Sequence, residues 1–309
     1  MLTSPETSNR ILEETVESIV NAEKRVSTEV KICDFDKAQF WVRTTKPSSD
    51  GAHDILLVSL ALPAYKEVAA LGADEYLKLT YGDLLVTPDD GSDVMLRMDL
   101  ASIPEKHRQD LISVVCRLKE KIAGAPFKKY FTALAEKKTL SPATFSLHVD
   151  CPVYIVPKND RVVIVFSLNV RERSDAVVTS VFLTEFAEAR RKVPAGPIVT
   201  FTAMPPKEIQ DAFNITEAKG NVGFISFAML PSHVDSPAKI EAAAAIFSGF
   251  RTYVQYHIKC SKAYFHSRMR ARVTSLLKIL NRAKNEEFDD GKEKKKKTFS
   301  GRTFEQKSA

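Results

Sequence analysis

Residues 237–285 read PAKIEAAAAIFSGFRTYVQYHIKCSKAYFHSRMRARVTSLLKILNRAKN, and the fold of that stretch decides the architecture of the rest. Ile240, Ala243, Phe247, Phe250, Val254, Ile258, Phe265, Met269, Leu276 and Leu280 recur at three-and-four spacing, which keeps one apolar stripe on one side of a helix. Ser236 offers an N-cap and Pro237 a first-turn proline, and only Gly249 argues against continuity to residue 285. At 1.5 Å per residue the helix is about 70 Å long, more than a small domain is wide. Part of it therefore has to rest on something other than its own domain.

Its charges are as unusual as its length. Residues 242–285 contain no Asp or Glu, yet they carry Arg251, Lys259, Lys262, Arg268, Arg270, Arg272, Lys278, Arg282 and Lys284. An exposed helix that stabilises itself mixes signs at i,i+4, so an acid-free one leaves its cations to find partners elsewhere. On a wheel of about 100° per residue, Arg268 and Arg272 fall at the edge of the apolar stripe, placed to pair with a neighbouring subunit or domain. A solvated basic face is the plainer reading; length and complete acid depletion together weigh against it.

The chain has 309 residues, 44% hydrophobic and 27% charged, enough for two domains with ordinary cores. No apolar run is long enough to cross a bilayer, the start MLTSPETSNR has no apolar secretory segment, and EQKSA matches no lipidation signal. A cytosolic protein without membrane insertion is expected. Cys33, Cys116, Cys151 and Cys260 fit neither a zinc knuckle nor a compact disulfide framework, so reduced and mostly buried thiols are expected. From Arg251 onward 16 Lys and Arg face 6 acids, whereas residues 1–250 hold 29 bases and 33 acids. That polarity points to an anionic partner surface, whether protein, nucleic acid or lipid headgroup.

Along the chain, Asn9 to Ala22 reads as a short helix capped at Ser8 or Asn9, followed by a meander of strands over Val26–Phe35, Gln39–Thr45 and Ile55–Leu62. Pro63 opens a helix with Tyr65, Val68, Ala69, Tyr76 and Leu79 on one face and Gly82 as its stop. Asp93–Leu100 is a strand, and Pro104 leads a helix with Leu111, Val114, Val115, Leu118 and Ile122 inward, broken or kinked at Pro126. The polar run Glu136–Ser141 marks a boundary. Beyond it Phe145–Val156, Arg161–Val170, Ala176–Glu188, Ile198–Ala203 and Val222–Leu230 read as strands. The fold class is α+β: two related domains of mainly antiparallel sheet with packed helices, over residues 1–140 and 141–285, the second ending in the long helix 237–285. Residues 286–309 form a polar tail expected to be disordered.

The sequence carries no recognisable catalytic motif. No P-loop, Gly-x-Gly-x-x-Gly, His-Glu-x-x-His or Gly-x-Ser-x-Gly occurs. Gly220-Asn221-Val222-Gly223 reads as a turn between strands, His257 and His266 are too far round the helix for one metal, and Asp89-Asp90 implies no pocket. Trp41 is expected in the core. The expectation is no enzyme, no cofactor, no metal and no small-molecule substrate. Lys294 to Lys297 reads as a solvated tail, with a nuclear signal or nucleic-acid patch as the alternative.

The stretch YVQYHIKCSKAYFHSRMRARVTSLLKILNRA, Tyr253 to Ala283, closely resembles the C-terminal helix of the 34-kDa-class subunit, subunit 2, of the actin-related protein 2/3 complex. NRILEET, GADEYLKLTYGDLLVTPDDG, PKNDRVVIVFS, VFLTEFAEARR, NVGFISFAMLPSH and SGRTF look similar too, in family order; Ala101–Ala125, Leu134–Thr144 and Lys294–Lys297 depart from the pattern. The resemblance implies a non-catalytic scaffold of two α/β domains whose long helix packs on the matching helix of subunit 4. It implies attachment of both actin-related proteins and contact with the side of the mother actin filament, in the cytoplasmic actin cytoskeleton of cell cortex and projections. Phe247, Phe250, Val254, Ile258, Phe265, Met269, Leu276 and Leu280 should then divide between the chain's own sheet and subunit 4. Lys259, Lys262, Arg270, Lys278, Arg282 and Lys284 are the filament candidates. From charge alone, a cytosolic nucleic-acid-binding protein is the alternative, although no aromatic-studded strand motif of single-strand RNA binders is present.

Overall fold

The computed structural model describes residues 9–34, 37–46, 53–148, 151–217, 222–282, 296–297 and 303–304. The chain divides into two compact units, Met1–Ile258 and Lys259–Ala309. In the first unit α1 (Arg10–Val20) is followed by β1 (Glu29–Cys33), β2 (Gln39–Thr45), β3 (Ile55–Ala61), α2 (Tyr65–Ala70), α3 (Ala73–Tyr81), β4 (Leu85–Val86), β5 (Val94–Asp99), α4 (Glu105–Cys116) and α5 (Leu118–Ala135). Then come β6 (Ala143–His148), β7 (Cys151–Pro157), β8 (Val162–Leu168), α6 (Arg173–Arg191), β9 (Ile198–Thr202), α7 (Lys207–Phe213), β10 (Gly223–Met229) and α8 (Pro237–Arg282). The architecture is α+β. β1-β2-β3-β5-β4 and β6-β7-β8-β10-β9 are two five-stranded sheets of one strand order, every ladder antiparallel.

Local chemistry explains the element ends. Asn9 Oδ1 accepts from the N–H groups of Ile11 and Leu12 and so caps α1. Lys239 N–H donates to Ser236 Oγ at 3.4 Å, the expected cap of α8. The helix expected after Pro63 is two helices, because Gly72 takes φ 101° between α2 and α3. Rotation at that joint turns Ala73, Leu77 and Tyr81 inward and leaves Leu79 87% exposed. At the start of β10, Gly223 has φ 132°, and a Cβ there would lie 2.5 Å from the Thr202 carbonyl oxygen.

Several expectations are corrected. Pro126 lies inside α5 without ending it; the break falls at Arg117, and Pro126 is buried among Ala125, Phe127 and Ile122, whose packing offsets the missing N–H. Val114, expected inward, is 41% exposed, and Ile112 points in instead. The single strand expected over Phe145–Val156 is the hairpin of β6 and β7. Ala176–Glu188 is helical: its β-branched residues read as strand, but Ala176, Thr179, Leu183 and Ala187 keep helical spacing on the buried face of α6. β8 is buried at all seven positions, since Ile209 and Phe213 of α7, a helix that the sequence did not suggest, cover its second face with Val163, Val165 and Phe224. Trp41 is not core. Strand parity turns Phe40 and Val42 inward and Trp41 outward, where its ring lies between Lys31 Nζ at 4.1 Å and Arg43 Cζ at 4.7 Å.

One continuous apolar core joins both sheets. Its centre is aromatic: Phe127 of α5, Phe166 of β8, Phe227 of β10 and Phe247 of α8 meet with centroids 5.1 to 6.3 Å apart. The tail expected to be disordered lies outside the described residues, except that β11 (Lys296–Lys297) pairs antiparallel with β12 (Thr303–Phe304). The turn expected at Gly220-Asn221 also lies outside them.

Candidate assembly surface of the C-terminal helix

The first half of α8 is committed to its own chain. Ile240, Ala244, Phe247, Phe250, Val254 and Ile258 are all at most 7% exposed. Glu241, on the flank of that stripe, ties the helix to the first half of the fold. Its carboxylate accepts from Lys121 Nζ at 2.9 Å, from Lys128 Nζ and from the Tyr76 hydroxyl at 3.1 Å, while Lys128 Nζ also lies 4.0 Å from the Tyr76 ring centroid. Burial alone would raise the Glu241 carboxyl; hydrogen bonds and charge from Lys128 and Lys121 outweigh it and hold it below the usual carboxylate range. Lys121 is held above the usual lysine value, its burial outweighed by Glu241 and Tyr76. The sequence signal for this cluster is thin: a single acid at the foot of an otherwise acid-free helix.

Within Lys259–Ala309, the described helical residues present a different face. Ala263 to Arg282 are all exposed. Phe265, Met269, Leu276 and Leu280 are 52%, 63%, 55% and 52% exposed, and Val273, Leu277 and Ile279, which the sequence reading did not name, are similarly bare. At about 100° per residue these seven span an arc of about 160°. Residues 259–282 hold Lys259, Lys262, Arg268, Arg270, Arg272, Lys278 and Arg282 and no acid. Arg268 lies at one rim of the apolar arc with Arg272 just inside it, and Arg268 lies 5.7 Å from the Tyr264 ring centroid. Lys259 and Arg270 line the other rim; Lys278 and Arg282 lie on the far side. Lys262 is half-buried and falls inside the arc rather than on a basic face. Lys284 lies outside the described residues.

Among the described residues no three of His, Cys, Asp or Glu are placed to share a metal ion, and no helix is long and apolar enough to cross a membrane. Of the thiols, expected to be mostly buried, Cys116 and Cys151 are buried and Cys33 and Cys260 exposed. Burial pushes Cys116 up to about 12, which leaves it an inert thiol. Asp90 is buried under Ser59 Oγ at 2.6 Å and Arg43, a structural anchor for the loop before β5.

Comparison with known proteins shows which family the chain belongs to. The family described as Arp2/3 complex, 34 kD subunit p34-Arc, matches residues 58–287. The chain belongs to that family. Actin-related protein 2/3 complex subunit 2 of Dictyostelium discoideum is 33% identical over 304 residues, covering 97% of this chain and 98% of the relative. The protein of the same name from Schizosaccharomyces pombe is 32% identical over 307 residues, covering 92% and 93%. The family match runs through the last described residue of α8, so both the buried and the bare part of the helix lie within it. Membership in a family of complex subunits does not favour the nucleic-acid alternative.

Proposed function

We propose that the chain is a non-catalytic core scaffold of the actin-related protein 2/3 complex, pairing with subunit 4 and meeting the side of the mother filament where a branch is nucleated. Its place would be the cytoplasmic actin cytoskeleton, at the cell cortex and in cell projections, with both actin-related proteins attached to the paired core. The observation that carries this is the bare arc from Phe265 to Leu280, flanked by cations and free of acids. Such an arc is too apolar to stay in water, and because a second copy would bring its own cations to these rims, a helix from a different chain is the better match. Phe265, Met269, Leu276 and Leu280 with Arg268 and Arg272 form the seam; Lys278, Arg282 and Lys284 remain for the filament. The shared strand order of the sheets supports two related domains, 1–140 and 141–285, sharing one core.

The test is co-expression with subunit 4 and recovery on a tag carried by that partner. Met269→Asp and Leu276→Asp place a charge in the seam and should abolish recovery, whereas Val181→Asp, at an exposed position of α6, should not. Equal recovery of all three would remove the helix from the subunit interface. Selective capture of RNA by residues 259–282 would instead restore the nucleic-acid reading.

A further inference from the structure

β1 is the outer strand of the first sheet, and one side of it is open. Thr44 N–H donates to the Thr28 carbonyl at 2.9 Å and Asp34 N–H to the Ala38 carbonyl at 2.8 Å. Antiparallel pairing repeats every two residues, so the backbone groups of Thr28, Val30, Ile32 and Asp34 face β2. Those of Ser27, Glu29, Lys31 and Cys33 point out of the sheet, and no backbone hydrogen bond among the described residues meets them. Beside that edge runs a groove of about 430 Å³, walled by Ile11 and Ile19 of α1, by Ala22 just after it and by Val26, Thr28 and Val30. Ile11 and Val26 are 61% and 59% exposed. At the end where the chain turns from α1 toward β1, the groove is lined by Lys24, which is exposed, and by Arg25, which is paired with Asp54 at 2.5 Å; Glu14, on the helix wall, is held by Arg10 at 2.9 Å.

We propose that this edge and groove take up an extended peptide of another protein as an added strand antiparallel to β1, apolar at alternate positions and acidic at its carboxyl end. A helix satisfies its own backbone and would leave the edge groups unpaired, whereas a strand meets them at the two-residue repeat that β1 presents. Every second side chain of that strand then enters the apolar groove. β1 leads away from Lys24, so an antiparallel peptide brings its carboxyl end to that exposed cation, Arg25 beside it being already paired with Asp54. The site lies wholly within Met1–Ile258 and does not rest on the filament reading.

The probe is a fluorescein-labelled peptide Thr-Val-Thr-Val-Thr-Val-Asp with a free carboxyl end, titrated by anisotropy against the full-length chain purified in its complex. Its control is Thr-Val-Thr-Pro-Thr-Val-Asp. Lys31→Pro deletes an outward N–H and leaves the β1–β2 bonds, and Ile11→Glu charges the groove wall at an exposed position. Both should weaken the valine peptide at least tenfold with complex recovery unchanged, and Lys24→Glu about threefold, the size of an exposed charge pair. The proline peptide should not bind. No binding of the valine peptide at about 1 mM, the weak end of measurable affinity, would overturn the proposal. So would equal binding of the proline peptide or indifference to Ile11→Glu. Doubling of mass with concentration that Lys31→Pro abolishes, without peptide binding, would assign the edge to a second copy and overturn it as well. Each of these failures leaves filament binding untouched.

Discussion

Phe247 has Phe127, Phe166 and Phe227 around it at ring-centroid distances of 5.6, 6.3 and 5.1 Å, and it is the residue through which α8 enters both halves of the core. Phe247→Ala removes a fully packed ring and should cost about 3–5 kcal/mol of stability, read as a lower urea midpoint at unchanged slope. Glu241→Gln acts differently. It keeps the size of the side chain but leaves Lys121 and Lys128 facing each other without an anion, and in this half-exposed place about 1 kcal/mol should be lost. His233 supplies a pH dependence: Leu230 N–H donates to its Nδ1 at 3.0 Å, and burial, then Lys239, depress its pKa below the ordinary 6.5. A depressed value means that the unfolded chain binds the proton first, so this stabilisation is complete above pH 6.5 and lost as pH falls from there toward the folded value. His233→Asn keeps an acceptor for Leu230 N–H and should flatten the fall of melting temperature between pH 7 and pH 5. An unchanged slope would show that other groups carry the acid sensitivity.

At the scale of elements, the sequence is legible where one face alone is buried and ambiguous where burial is two-sided. α8 could be read because its stripe is long and its opposite face polar; β2 and β3 could be read because flanking turns bound them. α6 could not, since Val177, Val178, Val181 and Phe182 look like strand residues until one sees that Val177 and Val181 are exposed and that Phe182 stacks on His257 at 5.3 Å. Pro126 misled because a proline is judged by its local cost, while tertiary burial of its neighbours decides whether a helix survives it. For the candidate surface, the stripe could be read but not the place where its burial stops. That place is Ile258, the last buried residue of α8, which no local pattern marks. The element therefore carries its own prediction. Expressed alone, the chain should self-associate, with amides of residues 263–282 exchanging faster than those of 240–258, and co-expression with subunit 4 should slow them. A monodisperse chain with equal protection along α8 would count against an obligate pair.

For the whole molecule the deciding quantity is how charge is distributed, since residues 1–250 carry a small acidic excess and residues 251–309 carry the surplus of cations. A fold gains little from exposed cations, but several acting together steer an anionic partner. Reversal of Lys278, Arg282 and Lys284 to Glu should thus leave stability and subunit recovery within error of the unmutated complex, while weakening its attachment to filament sides and lowering branch density. Salt supplies the second axis. Attachment of the unmutated complex should decline as ionic strength rises past about 0.1 M, where the Debye length falls below about 10 Å, and the triple variant should show a shallower decline because fewer cations remain to be screened. Co-sedimentation of purified complex with actin filaments at two ionic strengths measures both effects in one experiment. Removal of residues 288–309, which hold the Lys294 to Lys297 run, should change neither value if α8 rather than the tail provides the contact. Equal sedimentation of the triple variant and the unmutated complex at both salts, with loss on removing the tail, would move the filament contact from the helix to that lysine run.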